Sequence, residues 1–186
     1  MPDYRRVFQP GGTFFFTLVT EGRAPILCTD LARSILHKVI VECNASRPFH
    51  PDAMILLPDH MHALLTLPPG DTDYSTRWAY IKARFTHHWL AAGGAEQRRT
   101  GSRVWNRRRG VWQRRFWEHL IRDREDRNGH LDYIHYNAVK HGLAACPHAW
   151  PYSTFDKYVR SDAYEAQWMC GCDGAAGDAA VIRGIG

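Results

Sequence analysis

What the sequence lacks narrows it first. No apolar run approaches the roughly 18 residues that a membrane-spanning helix needs, so no membrane span is expected. The opening stretch MPDYRRVFQPGG has no apolar core behind a basic start, and export is not expected either. Cysteine is scarce and odd in number: Cys28, Cys43, Cys146, Cys170 and Cys172 make five, with no spacing that reads as a disulfide framework. They read as reduced thiols, which suits a cytoplasmic location. Acidic residues are almost missing from one segment. Between Arg77 and Arg115 stand eleven Lys and Arg against the single acid Glu96, while the remainder is mildly acidic and the whole chain carries +5. Charge so one-sided favours a polyanion bound to one face, although a solvated basic loop has the same composition.

What is present is the composition of a globular protein: 186 residues, 45% apolar and 12% aromatic, enough for one domain with its own core. TFFFTLVTEGR (13–23) predicts a strand. In 30–45, Leu31, Ile35, Leu36, Val39 and Ile40 recur at helical spacing, with Asp30 placed to cap. DAMILL (52–57) and MHALLTLP (61–68) are two short strands joined by a tight bend at PDH. Residues 73–94 predict a second helix ending at a Gly pair, 94–110 an Arg-rich loop, 110–122 a strand and 123–142 a third helix. The order β, α, β, β, α, β, α predicts an α+β domain: a single antiparallel sheet with helices packed on one face. Residues 146–159 read as an irregular arm. The domain is expected over 1–160, with 161–186, Gly/Ala-rich from Cys170, as a flexible C-terminal tail.

Within ILLPDHMHALLTLP (55–68), His60 and His62 stand two apart in a greasy strand, so both rings point to one face. Two imidazoles so placed can share a divalent metal, although paired surface or hydrogen-bonded histidines give the same pattern. Two ligands rarely suffice, and the third helix offers more. On a wheel of about 100° per residue, Leu131, Ile134 and Ala138 form an apolar face, while Tyr133, Tyr136, Asn137 and Lys140 share the other. A phenol can be a nucleophile, an amide oxygen a ligand, and an amine a phosphate partner. An ordinary amphipathic helix would look no different.

Three blocks in order, LLPDHMHALLTLP, VWQRRFWEHLIRD and LDYIHYNAVKHGL, resemble those of the single-tyrosine HUH transposases, and most closely the REP-associated tyrosine transposases related to IS200/IS605 transposases. The resemblance runs from about Tyr4 to Tyr158, with WPYSTF (150–155) as a fourth block. It implies a ferredoxin/RRM-like HUH fold. It also implies Mg²⁺ or Mn²⁺ held by His60, His62 and Asn137, with Tyr133 as nucleophile. The family's spacing of tyrosine to amide, four residues, selects Tyr133 over Tyr136. The chain departs at Ala138, where the family often has proline, and in the tail with Cys170 and Cys172.

The implied chemistry is cleavage and rejoining of single-stranded DNA, folded as palindromic hairpins, through a 5′-phosphotyrosine. Arg5, Arg6, Lys82, Arg84, Arg107, Arg108, Arg109, Arg114, Arg115 and Lys140 are the expected DNA contacts, with Trp78, Tyr80, Phe85, Trp89, Trp105, Trp112 and Phe116 interleaved as stacking surfaces or core. A cytoplasmic, nucleoid-associated enzyme is expected, as monomer or homodimer. Two other readings compete: a domesticated hairpin-binding protein without cleavage, and a phosphodiesterase that uses the histidines as acid and base and needs no tyrosine.

Overall fold

The computed structural model describes residues 6–106 and 108–171. Four strands, β1 (Thr13–Val19), β2 (His50–Leu56), β3 (His60–Thr66) and β4 (Trp117–Leu120), form one antiparallel sheet in the order β2-β3-β1-β4. The helices are α1 (Asp30–Ser46), α2 (Tyr74–Ala91), α3 (Gly101–Trp105), α4 (Arg124–Lys140) and α5 (Phe155–Arg160). No described helix is long and apolar enough to cross a membrane.

Alternation along the two central strands builds two cores. Phe14, Phe16 and Leu18 of β1, with Met61, Ala63 and Leu65 of β3, face α1 and α2 through Ile35, Leu36, Val39, Trp78, Ile81 and Phe85. The neighbours between them, Phe15 and Leu64, join Ala53 and Ile55 on the other face, where Leu131, Ile134 and Ala138 of α4 close over them. The α+β class and the single antiparallel sheet are as expected, and so is the apolar face of α4. The helices, however, occupy both faces. Phe15 supplies the reason: it is as apolar as Phe14 and Phe16 but points the opposite way, so both faces of the sheet need cover.

Other departures are local. Thr29, not Asp30, caps α1, its hydroxyl accepting from Ala32 N. The strand expected over 110–122 shrinks to β4, because Arg114 and Arg115 are exposed and only Trp112 makes an isolated bridge, to Thr20. The Arg-rich loop contains α3, capped by Thr100. Its base is closed by Glu96, whose carboxylate accepts from Arg109 Nε and Nη2, both at 2.8 Å, and from Gly110 N at 2.9 Å. Only glycine fits at 110, since a Cβ there would stand 2.2 Å from the Gln97 carbonyl oxygen.

Cys146 and Cys170 are joined by a disulfide, which corrects the expectation of five reduced thiols; a bridge across 24 residues leaves no local signal to read. Residues 161–171 pack rather than trail. Tyr164 Oη donates to Asp132 of α4, and Trp168 packs on Tyr164 at 4.5 Å between ring centres. Cys172 and the remainder of the expected tail lie outside the described residues.

Candidate catalytic site

The face of the sheet under α4 carries the histidine pair. Thr17 pairs with His62 and Val19 with His60, so both imidazoles stand beside β1 in the middle of the sheet, their ring centres 5.0 Å apart. Each is oriented through Nδ1. Asp59, in the bend before β3, accepts from His60 Nδ1 at 2.6 Å, which leaves the lone pair of the neutral ring on Nε2. Thr17 Oγ1 lies 2.9 Å from His62 Nδ1. Burial opposes ionisation of Asp59, but hydrogen bonds from His60 and Arg23 outweigh it and hold the carboxyl below its usual range.

His62 is 3% exposed. Burial first, then the repulsion that His60 and His141 exert when protonated and that of Lys140, push its pKa down to about 3, so it is a neutral imidazole at any ordinary pH. Its Nε2 is buried without a hydrogen-bond partner, and so are both side-chain atoms of Asn137, which is fully buried on α4. The Asn137 amide stands near enough to His62 to favour its protonated form, yet no contact of these three atoms reaches hydrogen-bond geometry. Buried polar atoms left unpaired cost about 1–3 kcal/mol each, and three in one place call for a ligand. The set fits a divalent cation: imidazole nitrogens suit Mn²⁺ and its neighbours, and an amide oxygen suits a hard ion.

The Tyr133 ring stands 5.2 Å from the His62 ring and 5.8 Å from Phe15, half-buried at the cleft. Lys140 Nζ lies 4.6 Å above that ring, a cation beside the phenol. Tyr136 is not among the residues lining the cleft, whereas Tyr133 is. The cleft encloses about 1140 Å³ and is bordered by Arg23, Trp117, His119, Arg122, Lys140 and His141 as well.

Of these neighbours only Lys140 was expected from the sequence; the other five escaped that reading. His141, which caps the end of α4, has its ring 5.3 Å from that of His60. His119 Nε2 lies 2.9 Å from Asp126, which also takes Arg122 N and Nε and sits 3.1 Å from His130 Nδ1, tying β4 to the first turns of α4. Trp117 is half-exposed and stacks on His119 at 5.9 Å. The signal was there for the helix residues. On the wheel with Tyr133 at 0°, Asp126, His130, Asn137 and His141 fall near +20°, +60°, +40° and +80°, one polar stripe of about 60°.

The basic residues divide. Arg6, Lys82, Arg108, Arg109 and Arg114 line a second groove of about 1090 Å³ with Arg103 and Phe116. Within it Lys82 is spent on the backbone, donating to the Gln113 and Arg114 carbonyls, and burial plus the charges of Arg103 and Arg6 bring its pKa to about 8. Arg109 is paired with Glu96. Arg84 turns to the far side of α2 and lies 3.8 Å from Glu42 of α1, outside the groove. Arg115 is exposed but does not line it. Lys140 belongs to the catalytic cleft instead. Arg5 and Arg107 lie outside the described residues. Among the interleaved aromatics, Trp89 and Trp112 join Trp78 and Phe85 in the core, and Trp105 is the widely exposed one, at 87%.

No family model matches the chain. A Haemophilus influenzae protein named as a REP-associated tyrosine transposase is 41% identical over 174 residues, covering 90% of this chain and 93% of its own length. The Escherichia coli K12 protein named REP-associated tyrosine transposase is 40% identical over 168 residues, covering 90% and 91%. Among solved structures, a REP-associated tyrosine transposase bound to a REP hairpin superposes with a TM-score of 0.76 at 40% identity, over 90% of this chain and 91% of that one.

Proposed function

The chain belongs to the REP-associated tyrosine transposases, and from that premise we propose that it cuts and rejoins single-stranded DNA folded into hairpins, with Tyr133 as its nucleophile. One observation carries the reading: the unpartnered donors of His62 and Asn137 meet on facing elements, with the Tyr133 phenol one ring away. His60, His62 and Asn137 would hold Mg²⁺ or Mn²⁺, which when bound supplies charge neutralisation and orientation at the scissile phosphate.

The chain's own part follows from placement. Tyr133 Oη attacks the phosphorus, forming a 5′-phosphotyrosine as the bond to the 3′ oxygen breaks. The phenol proton passes to water in the open cleft, and the departing oxygen takes one up as 3′-OH. Lys140 beside the phenol favours the negative charge that develops there. Asp59 and Thr17 keep the two imidazoles turned inward. Because the phosphotyrosine keeps the ester energy, another 3′-OH can attack it and rejoin the strands without ATP. The groove lined by Arg6, Arg108 and Arg114 gives the DNA backbone its path.

The test is a labelled single-stranded hairpin, incubated with protein and Mn²⁺ or Mg²⁺ and run on a denaturing gel. The expected result is a DNA-bearing band at protein size, abolished by EDTA and by Tyr133→Phe but not by Tyr136→Phe. Hairpin binding without any such band, under either metal, would overturn the reading in favour of a binder that no longer cleaves. Cleavage that survives Tyr133→Phe with no adduct would assign a hydrolase.

A further inference from the structure

Behind α4, away from the cleft, three soft donors meet. One ligating atom each from Cys146, His148 and Cys170 lies within 4.8 Å of the other two. None of the three lines the catalytic cleft or the basic groove. We propose that, once its disulfide is reduced, this cluster is a thiolate–imidazole site for Zn²⁺ that fastens residues 161–171 to the end of α4.

The backbone builds the cluster independently of the sulfur–sulfur bond. Pro147 opens a 3₁₀ turn over Pro147–Ala149, which sets His148 beside the fully buried Cys146. Gly171 N donates to the Ala145 carbonyl at 3.0 Å, which lays Cys170 alongside Cys146. The histidine's Nδ1 is engaged by a backbone carbonyl, as is common for metal-bound histidines. The Ala166 carbonyl, 3.1 Å from His148 Nδ1, can only accept, so the proton sits on Nδ1 and Nε2 keeps its lone pair. Two sulfurs and one nitrogen are a soft set, which favours Zn²⁺ over the harder ions that suit His60, His62 and Asn137. Sulfurs bound to one tetrahedral zinc stand about 3.5–4 Å apart, so on reduction the pair must part by roughly 1.5–2 Å.

The chemistry balances with a dithiol as reductant. Two electrons pass to the Cys146–Cys170 bond, which breaks to two thiols, and the reductant leaves as its own disulfide. Zn²⁺ then displaces one proton from each thiol, and a fourth position remains for water or another donor. The segment so fastened is the one whose Tyr164, backed by Trp168, covers Asp132 and His135, so the clamp bears on the helix that carries Tyr133.

Cobalt(II) is the probe, because thiolate ligation gives it a near-ultraviolet charge-transfer band that the sulfur-free His60, His62 and Asn137 site cannot produce. The full chain is reduced, freed of metal and titrated. The expected band saturates at one Co²⁺ per chain, disappears on adding Zn²⁺, and is absent from the oxidised protein. It should persist in His62→Ala. His148→Ala, at an exposed position, should weaken Co²⁺ binding tenfold or more, and Cys170→Ser, which spares the buried Cys146, should remove the band. No band from the reduced chain, or a band that survives Cys170→Ser at full intensity and so arises from other thiols of the chain, overturns the proposal.

Discussion

His135 lies on α4 facing away from the cleft, 1% exposed and ringed by Phe155, Tyr158 and Tyr164. Its Nε2 is 3.0 Å from Thr154 Oγ1, and its Nδ1 is buried without a partner. Burial pushes its pKa down from 6.5 to about 3. In the unfolded chain the ring titrates near 6.5, so below that pH the unfolded state binds a proton that the folded state refuses. The contribution is therefore whole above pH 6.5 and drains away as the pH falls toward 3, by about 1.4 kcal/mol per unit. Two units of acidification remove about 2.7 kcal/mol, a large share of the roughly 5–15 kcal/mol that holds a domain folded. The perturbation is His135→Leu. Thr154 Oγ1 still accepts from Met54 N at 3.0 Å, so no new orphan is left behind. Urea melts of both proteins from about pH 7.5 to about pH 4.5 give the difference in stability at each pH, in which His62 and the other shared groups cancel. The variant should gain on the wild type by about 1.4 kcal/mol per unit below pH 6.5. A flat difference across that range would refute the assignment of His135 as a buried neutral ring.

Arg77→Ala should cost about 3–5 kcal/mol in denaturant melts, because this 3%-exposed guanidinium holds Asp71 at 2.6 Å and the carbonyls of Pro48 and Asp73, while the DNA-binding salt slope stays as it is. Asp59→Ala should lower Mn²⁺ affinity and adduct formation about 10- to 100-fold, with hairpin binding in EDTA unchanged, since it frees the His60 ring without touching the basic groove. Arg108→Ala, at an exposed groove position, should reduce the slope of log affinity against log salt by about 0.7–0.9, as for one lost phosphate contact. A slope equal to that of the wild type would remove Arg108 from the DNA path.

The elements that place the site were legible because their signals are local. A period of two put His60 and His62 on one face, and a period near 3.6 put Asn137 and Lys140 with Tyr133, all from neighbours in sequence. The cap of α1 was missed by one residue because Thr29 and Asp30 are both good caps, and geometry selects the threonine. What stayed hidden was long-range. The pattern around Arg77 does not announce that the carbonyls of Arg47 and Pro48 share its guanidinium with Asp71 and the Asp73 carbonyl, and Lys82 looks free until the loop at Gln113 and Arg114, ahead of β4, crosses it. The Cys146–Cys170 bridge, and the cover that Phe15 demands on the second face, likewise join residues that composition cannot pair. His141 is the exception, since one more step on the wheel reaches it.

The position of β3 has a consequence for motion. It is an inner strand, paired with β2 on one side and β1 on the other. Amide hydrogens bonded on both flanks in this way exchange with solvent only when the sheet itself opens, near the free energy of global unfolding. α4 is held on that sheet by Leu131, Ile134 and Ala138, by Arg127 on Asp52 of β2 at 3.0 Å, and by the His119–Asp126 contact with β4. The protein thereby sets its two histidines on the slow rung of the exchange hierarchy. The pair on β3 therefore keeps its register, and its ring spacing of 5.0 Å, for as long as the sheet stays closed.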